Sequence, residues 1–121
     1  MVISIDIDVS LGNRTATMQA TRLIALFTLN EGIEASDYET WARKIDLPTV
    51  NALPSVASFE VFRATAVLGS TDKPPYQYIE IIDVKDMDQF GGDIATPAMT
   101  RIAAEFQAMA KVTFIQTERL D

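Results

Sequence analysis

Hydrophobic and polar positions along the chain alternate in ways that predict most of its elements. Ile3, Ile5, Ile7, Val9 and Leu11 alternate with Ser4, Asp6, Asp8 and Ser10, the period-two pattern of a half-buried strand. Gly12-Asn13 closes it as a turn. Arg14 to Ala20 is small and polar, like a linker. Residues 1–20 read either as an extra edge strand or as an extension outside the core from an upstream start, with Met18 as the alternative start; the clean alternation favours the strand. Arg22 to Leu29 is apolar on both faces, Leu23, Ala25, Phe27 and Leu29 on one and Ile24 and Leu26 on the other, which predicts a strand covered on both sides. Ser36-Asp37-Tyr38-Glu39 matches a capping box. Tyr38, Trp41, Ala42 and Ile45 follow at helical spacing. Asp46-Leu47-Pro48 breaks and restarts that helix, with proline in a first turn.

Val56 to Val67 predicts a second strand, with Phe59, Val61, Arg63 and Thr65 on one face. The turn-rich loop Leu68 to Pro75 leads into Tyr76 to Val84, so these two strands form an antiparallel hairpin. The last of them offers Tyr76, Tyr78, Glu80 and Ile82 on one side and Gln77, Ile79, Ile81 and Asp83 on the other, because side chains alternate across a sheet. Ile79 and Ile81 suit a contact under helices. Tyr78 and Glu80 need polar partners if buried, so their side is expected to line a semi-polar cavity. Asp86 to Gln89 is a second capping candidate, and Gly91-Gly92 is expected to interrupt the helix that follows. Thr96-Pro97 starts another, whose stripe is Met99, Ile102, Ala103, Phe106, Met109 and Ala110. Val112 to Glu118 is the last strand.

The order is an optional strand and then β-α-β-β-α-β, the ferredoxin-like split βαβ arrangement of an α+β domain with an antiparallel sheet. Residues 21–121 form that domain and 1–20 its extension. With both helices on one face, the other carries Leu23, Ala25, Phe27, Tyr78, Ile82, Phe114 and Phe59, too apolar to leave wet. A two-fold homodimer with sheets face to face would cover it.

Composition narrows the chemistry. A net charge of -7 argues against nucleic acid, whose phosphates draw on clustered Lys and Arg. The chain has no Cys and no His, which removes thiolate chemistry, the commonest general base near neutral pH and the commonest nitrogen metal ligand. No metal site is expected. No apolar run reaches the ~20 residues of a membrane span. Asp6 and Asp8 break the N-terminal apolar residues, unlike a signal peptide. A cytoplasmic protein with no membrane partner is the expectation. Gly91-Gly92 lacks dinucleotide-loop context, and Asp83, Asp86, Asp88 and Asp93 lack Ca-loop spacing, so a solvated acidic face is expected there.

Tyr38-x-x-Trp41-Ala42-Arg43, Asp46-Leu47-Pro48, Leu53-Pro54-Ser55-Val56, Tyr76-x-Tyr78-Ile79-Glu80 and Thr96-Pro97-Ala98-Met99 ahead of Ala104-Glu105-Phe106 together resemble the RedY-like (HapK-type) proteins of the dimeric α/β-barrel superfamily. The resemblance runs from about Arg22 to the C-terminus. It implies the ferredoxin-like fold, a face-to-face homodimer and a cavity between sheet and helices. Members occur with pathways of secondary metabolism that make pyrrole and indole pigments. Related branches include cofactor-independent monooxygenases, polyketide cyclases, muconolactone isomerases and haem-binding proteins. Several use a cavity histidine, some on the stretch matching Thr96–Met99. Met99 and the absence of His here argue against histidine-based cyclisation and haem ligation.

Two readings of the polar residues stand side by side. In one, Glu80 or Asp46 is the acid–base group of a cofactor-free enzyme acting on an aromatic, polyketide-like or pyrrole-like intermediate, its pKa raised by apolar walls. Tyr78 then donates to a carbonyl or developing oxyanion. Arg63, Met99 and Phe114 are further cavity candidates, with Trp41 and Phe27 as an aromatic wall. In the other, Glu80 pairs with Arg63 across the hairpin, Tyr78 caps a dimer interface and Trp41 anchors the core. The protein is then a non-catalytic binder or a structural dimer without a ligand.

Overall fold

A computed structural model describes residues 20–121; the strand expected over Ile3 to Leu11 lies outside them. Its elements are β1 (Thr21–Phe27), α1 (Ala35–Trp41), a π-helical turn (Ala42–Asp46), α2 (Leu47–Asn51), β2 (Val56–Arg63), β3 (Tyr78–Val84), α3 (Met87–Asp93), α4 (Pro97–Met109) and β4 (Ile115–Gln116). The strands form one antiparallel sheet in the order β2-β3-β1-β4. This is the ferredoxin-like arrangement, and the β2–β3 hairpin is among its pairings.

Several boundaries differ from expectation. β2 ends at Arg63 rather than Val67, and β3 begins at Tyr78 rather than Tyr76. One bond, Ala64 N–H to the Gln77 carbonyl at 2.8 Å, carries the pairing past Arg63. β4 shrinks from Val112–Glu118 to Ile115–Gln116, the two residues paired with β1, and Thr117 adds bonds from its N–H and hydroxyl to the Arg22 carbonyl at 3.1 and 2.6 Å. A separate bridge, Leu29 with Ala110, holds the chain ahead of it.

The capping box at Ser36 does not form: Glu34 is the N-cap, without a side-chain bond, and Glu39 turns to other partners. Asp86 and Thr96 do cap α3 and α4 through the amides of Asp88, Gln89 and Met99. α3 runs through Gly91-Gly92 and stops at Ile94; two glycines weaken a helix without forbidding it.

The faces of the sheet are the reverse of expectation. The helices cover Leu23, Ala25, Phe27, Tyr78, Glu80 and Ile82, all buried, with Phe59, Phe90, Met99, Ile102 and Phe106 in the same core. Ile79 and Ile81 lie on the open face instead, beside Ile24, half-exposed Leu26 and Phe62. Both faces are apolar, so hydrophobicity alone does not choose between them. What chooses is that α1 brings polar groups to Tyr78 and Glu80, which could not be buried without them.

Between α1 and α2 the helix widens. Leu47 N–H reaches back to the Ala42 carbonyl, an i to i−5 bond. Pro48 has no N–H to give and its ring crowds the carbonyl four residues back, which favours a local departure from α geometry just before it. A π turn adds a residue to one turn, so the inward position passes from Ile45 to Asp46. Ile45 is 41% exposed and Asp46 4%. At the far end, Asn51 grips β2: its side chain accepts from the Phe59 amide at 2.9 Å and donates to the Phe59 and Leu47 carbonyls at 3.0 and 2.8 Å.

Candidate functional site

Three polar side chains are shut inside the protein beneath α1. Tyr38 is 0% exposed, Glu80 1% and Asp46 4%. Tyr38 comes from α1, Asp46 from the π turn and Glu80 from β3. The Tyr38 hydroxyl donates to Glu80 Oε2 at 3.4 Å. Rings of Phe27, Trp41, Tyr78 and Phe106 pack round Tyr38 at centroid distances from 4.7 to 6.1 Å.

Such walls penalise charge. Burial pushes Asp46 up to about 7. Burial, and then the neighbouring Asp46 charge, hold Glu80 well above the ordinary carboxylate range, against a small opposing effect of the Tyr38 hydrogen bond. The two titrate as a pair, in which ionising one keeps the proton on the other. Tyr38 is raised too, by burial and then by Glu80 and Asp46, and stays a neutral phenol.

Above this cluster lies a cleft of about 340 Å³ between the helical run and β2, lined by Tyr38, Glu39, Ala42, Arg43, Leu47, Val61, Phe62, Arg63, Thr65 and Tyr78. Tyr38 is its buried floor. Glu39 organises the rim. It accepts from Arg63 Nε at 2.8 Å and from Arg63 Nη2, from Arg43 Nη2 at 3.4 Å and from the Tyr78 hydroxyl at 2.7 Å. The Arg63 hydrogen bonds, then the Tyr78 one, bring Glu39 down to about 2, so it stays charged. Burial and the Glu39 contact raise Tyr78 to about 12.

The residues expected at a site are therefore distributed. Tyr78 and Arg63 line the cleft; Asp46 and Glu80 sit together behind Tyr38. Phe27 and Met99 lie fully in the core, and Trp41 and Phe114 pack against it. Trp41 donates its indole N–H to Glu105 Oε1 at 2.8 Å. The pairing of Glu80 with Arg63 is not formed: Arg63 stands opposite Tyr78 in the hairpin and bonds Glu39, whereas Glu80 stands opposite Val61. Sequence reading passed over Tyr38, Glu39 and Arg43. The spacing of Glu39 and Arg43, four apart on one helix, was a signal for the rim; nothing local marked Tyr38 as a partner of Glu80. Among the described residues no group of three or more His, Cys, Asp or Glu could hold a metal ion, and no helix is long and apolar enough to cross a membrane.

The family model described as REDY-like protein HapK matches residues 21–120. The chain is similar to the crystal structure of HapK from Hahella chejuensis, at 30% identity and a TM-score of 0.68, over 83% of this chain and 92% of that one. It shares its fold with SnoaB, a cofactor-independent oxygenase from Streptomyces nogalater, at 16% identity and a TM-score of 0.67, over 85% of this chain and 95% of that one. It also shares it with a dimeric ferredoxin-like protein from Thermobifida fusca, at 21% identity and a TM-score of 0.62, over 81% and 89% of the two chains. No curated protein sequence matches it.

Proposed function

The chain belongs to the REDY-like HapK family, and from that premise we propose that it binds a small conjugated molecule in the cleft over Tyr38 and acts on it by acid–base chemistry without a cofactor. One observation carries the reading: Tyr38 lines the cleft and donates a hydrogen bond to buried Glu80, beside which buried Asp46 lies. A carboxyl poised near neutrality suits general acid–base work at that pH, and Asp46 at about 7 is so placed. Asp46 and Glu80 store a proton; when the buried Tyr38 ring turns toward the cleft, its hydroxyl gives a proton to the ligand and takes one from Glu80 in the same step, so that it stays a neutral phenol. Tyr78 is a second donor once a ligand carbonyl draws its hydroxyl from Glu39. A cofactor-independent oxygenase on the same fold is in keeping with chemistry supplied by side chains alone.

The functional unit in this reading is a homodimer. Ile24, Leu26, Ile79, Ile81, Phe62 and Ile115 leave an apolar open sheet face. A second copy covers it by sheet-on-sheet packing, as the fold of a dimeric relative suggests.

Trp41 is the only Trp in the chain and lies 6.1 Å from the Tyr38 ring, so its fluorescence reports on the cleft. Titration with planar enolisable ketones is expected to give saturable changes. Bound ketones should exchange their α-protons in deuterated water, and Glu80→Gln and Asp46→Asn should bind them without exchanging. Binding without exchange in the unaltered protein makes it a non-catalytic carrier. No saturable signal at all contradicts the cleft as a site.

A further inference from the structure

We infer that the cleft selects ligands bearing a carboxylate, which Arg43 receives. This rests on the cleft being the ligand site and adds the class of molecule it takes. The charged residues lining it are Arg43, Arg63 and Glu39. Two guanidinium groups against one carboxylate leave a net charge of +1 at the rim, in a chain whose net charge is -7. The excess is not spread evenly between the two arginines. Arg63 holds Glu39 through both Nε and Nη2, the paired geometry in which guanidinium and carboxylate match best. Arg43 touches Glu39 through Nη2 alone, at 3.4 Å, with its side chain 66% exposed. Its remaining N–H groups meet no protein acceptor among the described residues. A guanidinium carries five donors in a rigid fork, so Arg43 retains the edge that a second carboxylate would take in paired fashion.

The rest of the cleft sets the body of the ligand. Leu47 and Val61 offer apolar contact beside the ring of Tyr78, a surface suited to a flat unsaturated skeleton. A volume of about 340 Å³ is at the lower end for ligand pockets, which run from roughly 300 Å³ upward, and so fits a molecule of two or three fused rings. With its acid group at Arg43 and its rings over Tyr38, such a molecule would place the carbon next to its carboxylate toward the rim and its far edge over the buried pair. Glu39 is already committed to Arg63 and Tyr78, so it does not compete for Arg43 on equal terms.

The test compares 2-naphthoate with 2-naphthamide, molecules of one shape that differ in charge, by calorimetry on the full chain and on Arg43→Met. That side chain is mostly exposed with a single long contact, so its loss leaves the fold intact; a matching circular dichroism spectrum and melting temperature check this. The acid is expected to bind about tenfold more tightly than the amide, a gap in the range of one good charged contact. In Arg43→Met the gap should close while the amide's affinity holds. Equal binding of acid and amide by the unaltered protein overturns the carboxylate inference and leaves the cleft a ligand site. A preference that survives Arg43→Met overturns the role of Arg43. Binding of neither molecule overturns the inference together with the reading of the cleft beneath it.

Discussion

Two carboxyl groups and a phenol enclosed among aromatic rings are costly to bury and simple to satisfy if one proton is shared. Asp46 is raised because its charged form loses water, and Glu80 for the same reason and then because of the neighbouring Asp46 charge. For a group raised in the folded state, the stabilising contribution is complete below the unfolded pKa and is lost as pH rises through the folded value. For Asp46 that window runs from 3.8 to about 7. Glu39 works the other way: lowered from 4.5 to about 2, its contribution is present above 4.5 and lost only as pH falls toward 2. The two ranges overlap only between 3.8 and 4.5. Urea unfolding is expected to show the protein losing stability between about pH 4 and about pH 7, on the order of a few kcal/mol. Glu80→Gln should flatten that slope, since it removes the part due to Glu80 and leaves that due to burial of Asp46. Equal slopes in both proteins would mean that the pair is solvated and not enclosed.

At the scale of elements, the order of strands and helices was legible because period-two and helical patterns are strong in β1, β3 and α4, and because the caps at Asp86 and Thr96 are local. Two things were not legible. Hydrophobicity on both sides of β1 and β3 gave no way to tell which face the helices would take. That choice depends on Tyr38 and Glu39 arriving from α1, a contact 42 residues away for Tyr38 and Glu80. The other is the π turn. Read as an α-helix, the stripe from Tyr38 ends on Ile45; the wider turn puts Asp46 inward and Ile45 out. Pro48 reads locally as a helix breaker, but its effect is to shift the phase of a continuous helical run by one residue. The candidate site depends on that shift. Asp46 and Glu80 were recognisable as acid–base candidates from their types and neighbours, whereas the rim built on Glu39 was hidden by its resemblance to a capping residue.

For the whole molecule, the open face of the sheet is the feature that one chain alone does not explain. Ile79 faces Leu26 across β1 and Phe62 across β2, so it stands at the centre of the uncovered apolar surface. Charge there would be desolvated in a face-to-face pair and harmless on a free surface. Sedimentation is therefore expected to show the protein as a dimer and Ile79→Glu as a folded monomer. A monomer in both cases would remove the homodimer. The cleft draws its lining from α1, the π turn, α2, β2 and β3 of a single chain, so in the monomeric variant it should keep its affinity for small molecules.

The measurement that bears most directly on the buried pair is a carbon-13 NMR titration of the side-chain carboxyls, with Asp46→Asn and Glu80→Gln used to assign the two signals. One carboxyl of the pair should ionise near 7, as burial of Asp46 requires, while the other keeps its proton beyond that point. Two signals that both titrate in the ordinary carboxylate range of roughly 3.5 to 4.5 would contradict a proton stored beneath Tyr38.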